Sequence, residues 1–169
     1  MRQRAKTVLR RDRLGDWDVD TISFGAWLTQ TYILTANERK SRYTAIVFYK
    51  NIKRAEVMRA FELIFSEKRL PLKTMTSDQR MEFNCHNEFE AAFGAEYYYA
   101  EKGKPYQKPT IENTNGLIRQ YLPRGTLIRE LPPERIPEIQ AALNDRPRKT
   151  LGYRTPSEVL HLILQCADA

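Results

Sequence analysis

Asp20, Asp78 and Glu112 are the residues of this sequence whose types and settings could do chemistry together. Each abuts an apolar segment: Asp20 lies within a β-branched and aromatic stretch, Asp78 directly follows LKTMTS, and Glu112 opens an amphipathic stretch. Three converging carboxylates suit the cutting or joining of phosphodiesters. That reaction needs an activated oxygen nucleophile and neutralised charge on the attacking and leaving oxygens, and two metal ions about 3.5–4 Å apart supply both. Magnesium, or manganese in its place, takes hard oxygen ligands and keeps waters, so Asp and Glu suffice without His or Cys. Taken singly, each carboxylate is equally well a surface charge or a helix cap, so the elements around them decide.

Residues 17–24 and 27–37 are rich in Trp, Val, Ile, Thr, Tyr and Leu and predict two paired strands turning near Gly25. TAIVFYK at 44–50 is a third strand, too short and too β-branched for a helix. Between Lys53 and Lys68, Val57, Ala60, Phe61, Ile64 and Phe65 recur at helical spacing. A buried strand at 72–77 then ends at Asp78, a short helix occupies 86–93, and YYYA at 97–100 is a fifth strand. After a Lys/Gly/Pro-containing loop, Pro109 suits the first turn of a helix over 110–122, with Ile111, Ile118 and Leu122 on one seam. A helix from about 133 to 144 carries Ile136, Ile139 and Leu143 on one face, and 156–165 adds a further helical turn or more. The order βββαβαβαα predicts a mixed five-stranded sheet flanked by helices. Asp20 then lies on the first strand, Asp78 at the tip of the fourth, and Glu112 at the start of the helix after the fifth.

The 169 residues suit one domain with short tails: a basic tail over 1–14, a core over 15–160, and a C-terminal tail over 161–169. The net charge of +7 implies a polyanionic partner. Arg2, Arg4, Lys6, Arg10, Arg11 and Arg13 crowd the N-terminus, and Arg146, Arg148, Lys149 and Arg154 form a second cluster. Arg39, Lys40 and Arg42 read as a hairpin rim or part of a DNA track, and Arg119, seven residues beyond Glu112, could steady a phosphate. Cys85 and Cys166 match no zinc spacing and His86 and His161 stand apart, so free thiols in a reducing cytoplasm are expected. No run of about 18 apolar residues is present. Trp17, Tyr43 and Phe48 read as core.

ENTNGLIRQYLPRGT at 112–126 and LNDRPRKTLGYRTPSEVL at 143–160 closely resemble transposases of the insertion-sequence-thirty family, within the retroviral-integrase-core superfamily. GDWDVDTI at 15–22, ERKSRYT at 38–44 and TSDQRMEF at 76–83 fit the same family in the same order, with 33 residues between Asp78 and Glu112. The resemblance spans roughly Gly15 to Leu160. It implies a ribonuclease H-like fold and a DDE triad of Asp20, Asp78 and Glu112 holding two magnesium ions. The implied activity is nicking at transposon ends, then attack of the freed 3′-hydroxyl on target DNA, by a bacterial cytoplasmic protein, nucleoid-associated when bound to DNA, that works as a homo-oligomer. Glu82 and Asn115 are expected just behind the metal ligands, and Arg39, Lys40, Arg42, Lys108, Arg119, Arg146, Arg148 and Lys149 along the DNA backbone. The sequence departs from the family pattern at Arg80, where a glycine is usual; at Tyr106, Gln107, Lys108 and Pro109; and at Glu101, Lys102 and Gly103. It also shows no helix-turn-helix ahead of the core, which reads as a truncation. These departures frame the alternative, a decayed or repurposed fragment that binds DNA without catalysis. A general nuclease of the same fold is the third reading.

Overall fold

In the computed structural model, residues 8, 10–25, 30–101 and 109–167 are described. Five strands, β1 (Asp16–Phe24), β2 (Thr31–Glu38), β3 (Thr44–Tyr49), β4 (Thr74–Ser77) and β5 (Glu96–Tyr99), form one sheet in the order β3-β2-β1-β4-β5. β1 pairs antiparallel with β2 and parallel with β4, β2 pairs antiparallel with β3, and β4 pairs parallel with β5. The expected mixed sheet is therefore present, with the Asp20 strand at its centre. Among the described residues α-helices flank it: α1 (Arg54–Glu62), which runs on into a π-helical turn over Leu63–Glu67, α2 (His86–Phe93), α3 (Pro109–Tyr121), α4 (Arg135–Asn144) and α5 (Pro156–Ala167). The terminal helix continues past residue 160 to Ala167, so the segment expected as a tail is largely helical.

The strand period of two sorts the core onto two faces. On one face Trp17, Val19, Leu34, Ala36, Ala45 and Met75 meet the stripe Val57, Ala60, Phe61, Ile64 and Phe65, together with Phe89 of α2. This side is aromatic and interlocked: Trp17 meets Phe65 edge-on at 5.1 Å, Phe61 meets Phe89 at 5.1 Å, and the Trp17 indole N–H donates to the Pro71 carbonyl at 2.8 Å. On the other face Ile22, Phe24, Ile33 and Ile46 pack against Ile118 and Leu122 of α3 and Ile139 and Leu143 of α4. The predicted α3 seam is buried along its length, since Ile111, Ile118 and Leu122 are at most 1% exposed.

Two local devices hold the frame. Gly15 enters β1 with φ +102, and a Cβ there would sit 3.1–3.3 Å from Lys73, so the turn requires glycine. Its N–H donates to Glu38 Oε1, while Glu38 Oε2 accepts from Lys40 N, Ser41 N and Ser41 Oγ, which closes the β2–β3 corner. At the outer strand β3, the amides of α4 take the place of a missing neighbour. Asn144 Oδ1 accepts from Thr44 N at 2.8 Å, Asn144 Nδ2 donates to Thr44 O at 2.7 Å, and Gln140 Oε1 accepts from Ile46 N at 2.9 Å. Asn144→Ala would strand two buried backbone groups of Thr44. It is expected to lower stability by about 1–3 kcal/mol per unsatisfied group, read as a reduced urea midpoint at unchanged slope.

Candidate active site

The first half of β1 carries an aspartate at every second position, so Asp16, Asp18 and Asp20 project from one face of the central strand. Buried carboxylates need partners, and the three are served unequally. Asp16, fully buried, takes both Arg13 Nε and Arg13 Nη2 at 2.9 Å and the Thr74 hydroxyl at 2.8 Å. Asp18, 1% exposed, takes Arg39 Nη1 on both oxygens at 2.7 and 2.8 Å. Asp20 has only one oxygen satisfied: Oδ2 accepts from Asn115 Nδ2 at 2.8 Å, while Oδ1 is buried with no hydrogen-bond partner.

Asp78 stands beside it. The parallel register pairs Asp16 with Thr74 and Asp18 with Thr76, and Asp78 follows immediately after the end of β4 at Ser77. The Arg80 guanidinium reaches both. Its Nε lies 3.0 Å from Asp78 Oδ2, and its Nη1 lies 3.8 Å from Asp20 Oδ1, 3.9 Å from Glu82 Oε1 and within hydrogen-bond distance of the Thr21 carbonyl at 3.2 Å. The acidic residues grouped around this cation are Asp20, Asp78 and the buried Glu82.

Glu112 is exposed on the first turn of α3, one turn from Asn115. That helix is tied to the same face of the sheet along its length. Asn37 Nδ2 donates to Thr114 Oγ1 at 2.8 Å, Asn115 holds Asp20, and Arg119 Nη2 donates to the Ser23 carbonyl at 2.7 Å with its guanidinium 4.2 Å over the Phe24 ring. Among the described residues no group of three His, Cys, Asp or Glu is close enough to hold a metal. The donor chemistry of Asp20 and Asp78 nevertheless fits a hard divalent cation: the ligands are carboxylate oxygens, and Asp20 Oδ1 is an orphan in a buried setting.

The predicted basic residues divide. Arg39 is 4% exposed and locked to Asp18, which corrects its placement on a DNA track: a guanidinium whose carboxylate partner is equally buried is structural. Arg119 is likewise turned onto Phe24 and Ser23 rather than outward. Arg42 and Arg148, more than 100 residues apart in sequence, come together with Thr110, Asn113, Thr114 and Thr150 around a cleft of about 220 Å³ at the first turn of α3. Arg42 Nη1 donates to Thr110 Oγ1 at 2.6 Å. Burial, then the charges of Arg11 and Arg39, pulls Arg42 below the ordinary arginine range, and burial followed by Arg146 does the same to Arg148. Lys40 is half-buried, and Arg146 and Lys149 are exposed beside this cleft's chain segments. Arg2, Arg4, Lys6, Tyr106, Gln107 and Lys108 lie outside the described residues.

Trp17 is core, Tyr43 and Phe48 pack partly buried against it, and His86 sits edge-on to Tyr99 with Nδ1 3.2 Å from its hydroxyl. Cys85 is buried, its thiol pushed up to about 11 chiefly by burial, and Cys166 is exposed. The Asp18–Arg39 pair and the row of aspartates were missed in the sequence, although the D-x-D-x-D alternation within DWDVDTI was the available signal.

The sequence and the fold are both shared with known proteins. The transposase InsI for insertion sequence element IS30A of Escherichia coli (strain K12) is 37% identical over 162 residues, covering 94% of this chain and 41% of that protein. The chain is homologous to IS30-type transposases over most of its length. The transposase for insertion sequence element IS1086 of Cupriavidus metallidurans is 38% identical over 156 residues, covering 90% of this chain and 45% of that transposase. The chain thus spans less than half the length of these IS30-type relatives. The HTLV-2 integrase catalytic core domain superposes with a TM-score of 0.67 at 19% identity, covering 86% of this chain and 95% of that domain, which establishes the integrase-core, ribonuclease H-like fold. No protein-family profile matches the chain.

Arg39→Met would leave Asp18 buried and unpaired. It is expected to cost about 3–5 kcal/mol of stability, whereas Arg39→Met combined with Asp18→Leu should recover most of that loss. Chemical denaturation of the single and double variants checks the pair; a single variant as stable as the parent would show that Arg39 is free for another role.

Proposed function

We propose that the chain is the catalytic core of a DDE-type transposase, which nicks DNA at element ends and joins the freed 3′-hydroxyl to target DNA. One observation carries this reading. Of three aspartates on one face of the central strand, the two nearer its start are saturated by arginines, and Asp20 alone keeps a buried, unpartnered oxygen beside Asp78. Asp20 and Asp78 would hold magnesium or manganese, two ions in the full site, with Glu112 as the third carboxylate from α3. When bound, the metal supplies an activated oxygen nucleophile and offsets charge on the attacking and leaving oxygens. The HTLV-2 core that shares this fold is described in complex with magnesium, which is consistent with that assignment.

The chain's own residues do the positioning. Asn115 fixes Asp20 Oδ2 and leaves the buried Oδ1 on the side of Arg80. Glu82, buried behind Asp78, adds negative charge that favours a cation there. The cleft between Arg42 and Arg148 offers crowded cations and the N-terminal turn of the Glu112 helix to a DNA phosphate, a sequence-independent contact that sets the position of the duplex. Lys40, Arg146 and Lys149 extend that positive surface. DNA, comprising element ends and target, is the proposed partner, and joining two ends calls for more than one copy of the chain. No helix among the described residues is long and apolar enough to cross a membrane. One observation favours a second reading, a DNA-binding domain without catalysis: Arg80 already lies between the site's carboxylates.

Asp78→Asn is expected to abolish Mg²⁺- or Mn²⁺-dependent nicking of DNA carrying the element ends, with circular dichroism and melting temperature close to the parent's; nicking that survives in this variant overturns the triad. Arg42→Ala with Arg148→Ala is expected to weaken DNA binding uniformly across sequences. It should also flatten the slope of log affinity against log salt by about 0.9 per lost phosphate contact. If the parent shows steep, magnesium-independent DNA binding and no nicking or joining, the second reading stands in place of the first. Cutting without joining would mark a nuclease.

A further inference from the structure

We propose that the Arg80 guanidinium is the resident cation of the carboxylate site, and that a divalent metal ion gains entry by displacing it. This rests on the reading of Asp20 and Asp78 as metal ligands. One side chain contacts or faces every carboxylate gathered there: Asp78 at 3.0 Å, Asp20 at 3.8 Å and Glu82 at 3.9 Å. The oxygen of Asp20 it faces is the buried atom that lacks a hydrogen bond. Charge attraction without a good hydrogen bond describes a placeholder, because a guanidinium that completed the site would donate to that oxygen at about 2.7–2.9 Å, as charge-assisted pairs do.

The chain has also arranged for the placeholder to leave. Arg80 is 51% exposed at its side chain, in contrast to the 3% of Arg39 on the same sheet face, so it can swing into solvent without opening the core. Its backbone is extended, with φ −73 and ψ 156, and no left-handed conformation is required at this position. An arginine is therefore accommodated at this position without strain, and what it brings to the site is its charge. Exposed ion pairs are individually weak, which makes the occupancy reversible.

Two effects follow. Metal binding is lowered by the fraction of time the site is free, so a guanidinium in place nine-tenths of the time weakens apparent affinity about tenfold. A DNA phosphate near the site offers Arg80 another partner, so DNA and metal should strengthen each other's binding by the same factor.

Calorimetric titration of Mn²⁺ into the metal-stripped chain tests this with the parent, Arg80→Gln and Arg80→Lys. Arg80→Gln is expected to bind Mn²⁺ about tenfold more tightly than the parent and to show a larger Mn²⁺-induced rise in melting temperature, and Arg80→Lys is expected to stay near the parent. A short DNA duplex should raise Mn²⁺ affinity in the parent and have a smaller effect in Arg80→Gln. Equal Mn²⁺ affinity in the parent and Arg80→Gln overturns the proposal, as does absence of binding in all three. The proposed function is judged separately by the dependence of nicking on Asp78, so nicking lost in Asp78→Asn beside unchanged metal affinity in Arg80→Gln would remove this inference alone. Should Arg80→Gln fold poorly, Arg80→Gly supplies the same comparison.

Discussion

The central strand places three aspartates on one face, and the surrounding structure is organised by the need to compensate them. Carboxylates at that depth are tolerated only with cations or donors in contact. Arg13 and Thr74 serve Asp16, Arg39 serves Asp18, and Asn115 serves half of Asp20. Each compensating residue is carried by a different segment, so satisfying this row also fixes the chain entry at Gly15, the corner after β2, the β4 register and the seating of α3. The electrostatics of one strand thereby sets the relative positions of four elements. The incomplete compensation of Asp20 is what marks the proposed site.

The opposite face has a different task. Its aromatic and aliphatic side chains, from Trp17 through Phe61 and Phe89, form a dry layer with edge-on ring contacts. Close packing of this kind resists local adjustment and holds the strands rigid. Asp20 and Asp78 are held near one another because residues that alternate with the acidic side chains on their strands, Trp17, Val19 and Met75, are buried in the layer behind. α3 links the two requirements, since one seam of it closes the second core through Ile118 and Leu122 while the adjacent row presents Glu112 and Asn115.

Much of this was legible in the sequence. The β-branched and aromatic content of residues 17–24 and the apolar runs at 44–50 and 72–77 gave the strands, and the helical spacing of Val57 to Phe65 and of Ile111, Ile118 and Leu122 gave the helices. The integrase-like order and the resemblance to IS30-type transposases followed from the same residues. Arg39 was misread because a charge among charges looks like surface; the pairing of β1 with β2 sets its backbone against Asp16, and only from there does its guanidinium reach Asp18 diagonally. Arg80 was recognised as a cation near the site, but its partners come from β1 as well as from its own loop, and such long-range grouping is invisible to local spacing. The departure from glycine at residue 80 carries no backbone strain, because its dihedral angles are those of ordinary extended backbone.

The amide side chains that α4 lays along β3 have a meaning beyond the stability of one helix. An outermost strand normally offers a ladder of free N–H and C=O groups to any passing strand. Here Asn144 and Gln140 occupy those groups at Thr44 and Ile46, imitating a sixth strand with two side chains. That rim of the sheet is closed to extension by another copy. Any strand addition to this sheet is thereby turned away from the β3 rim and left with the opposite edge at β5.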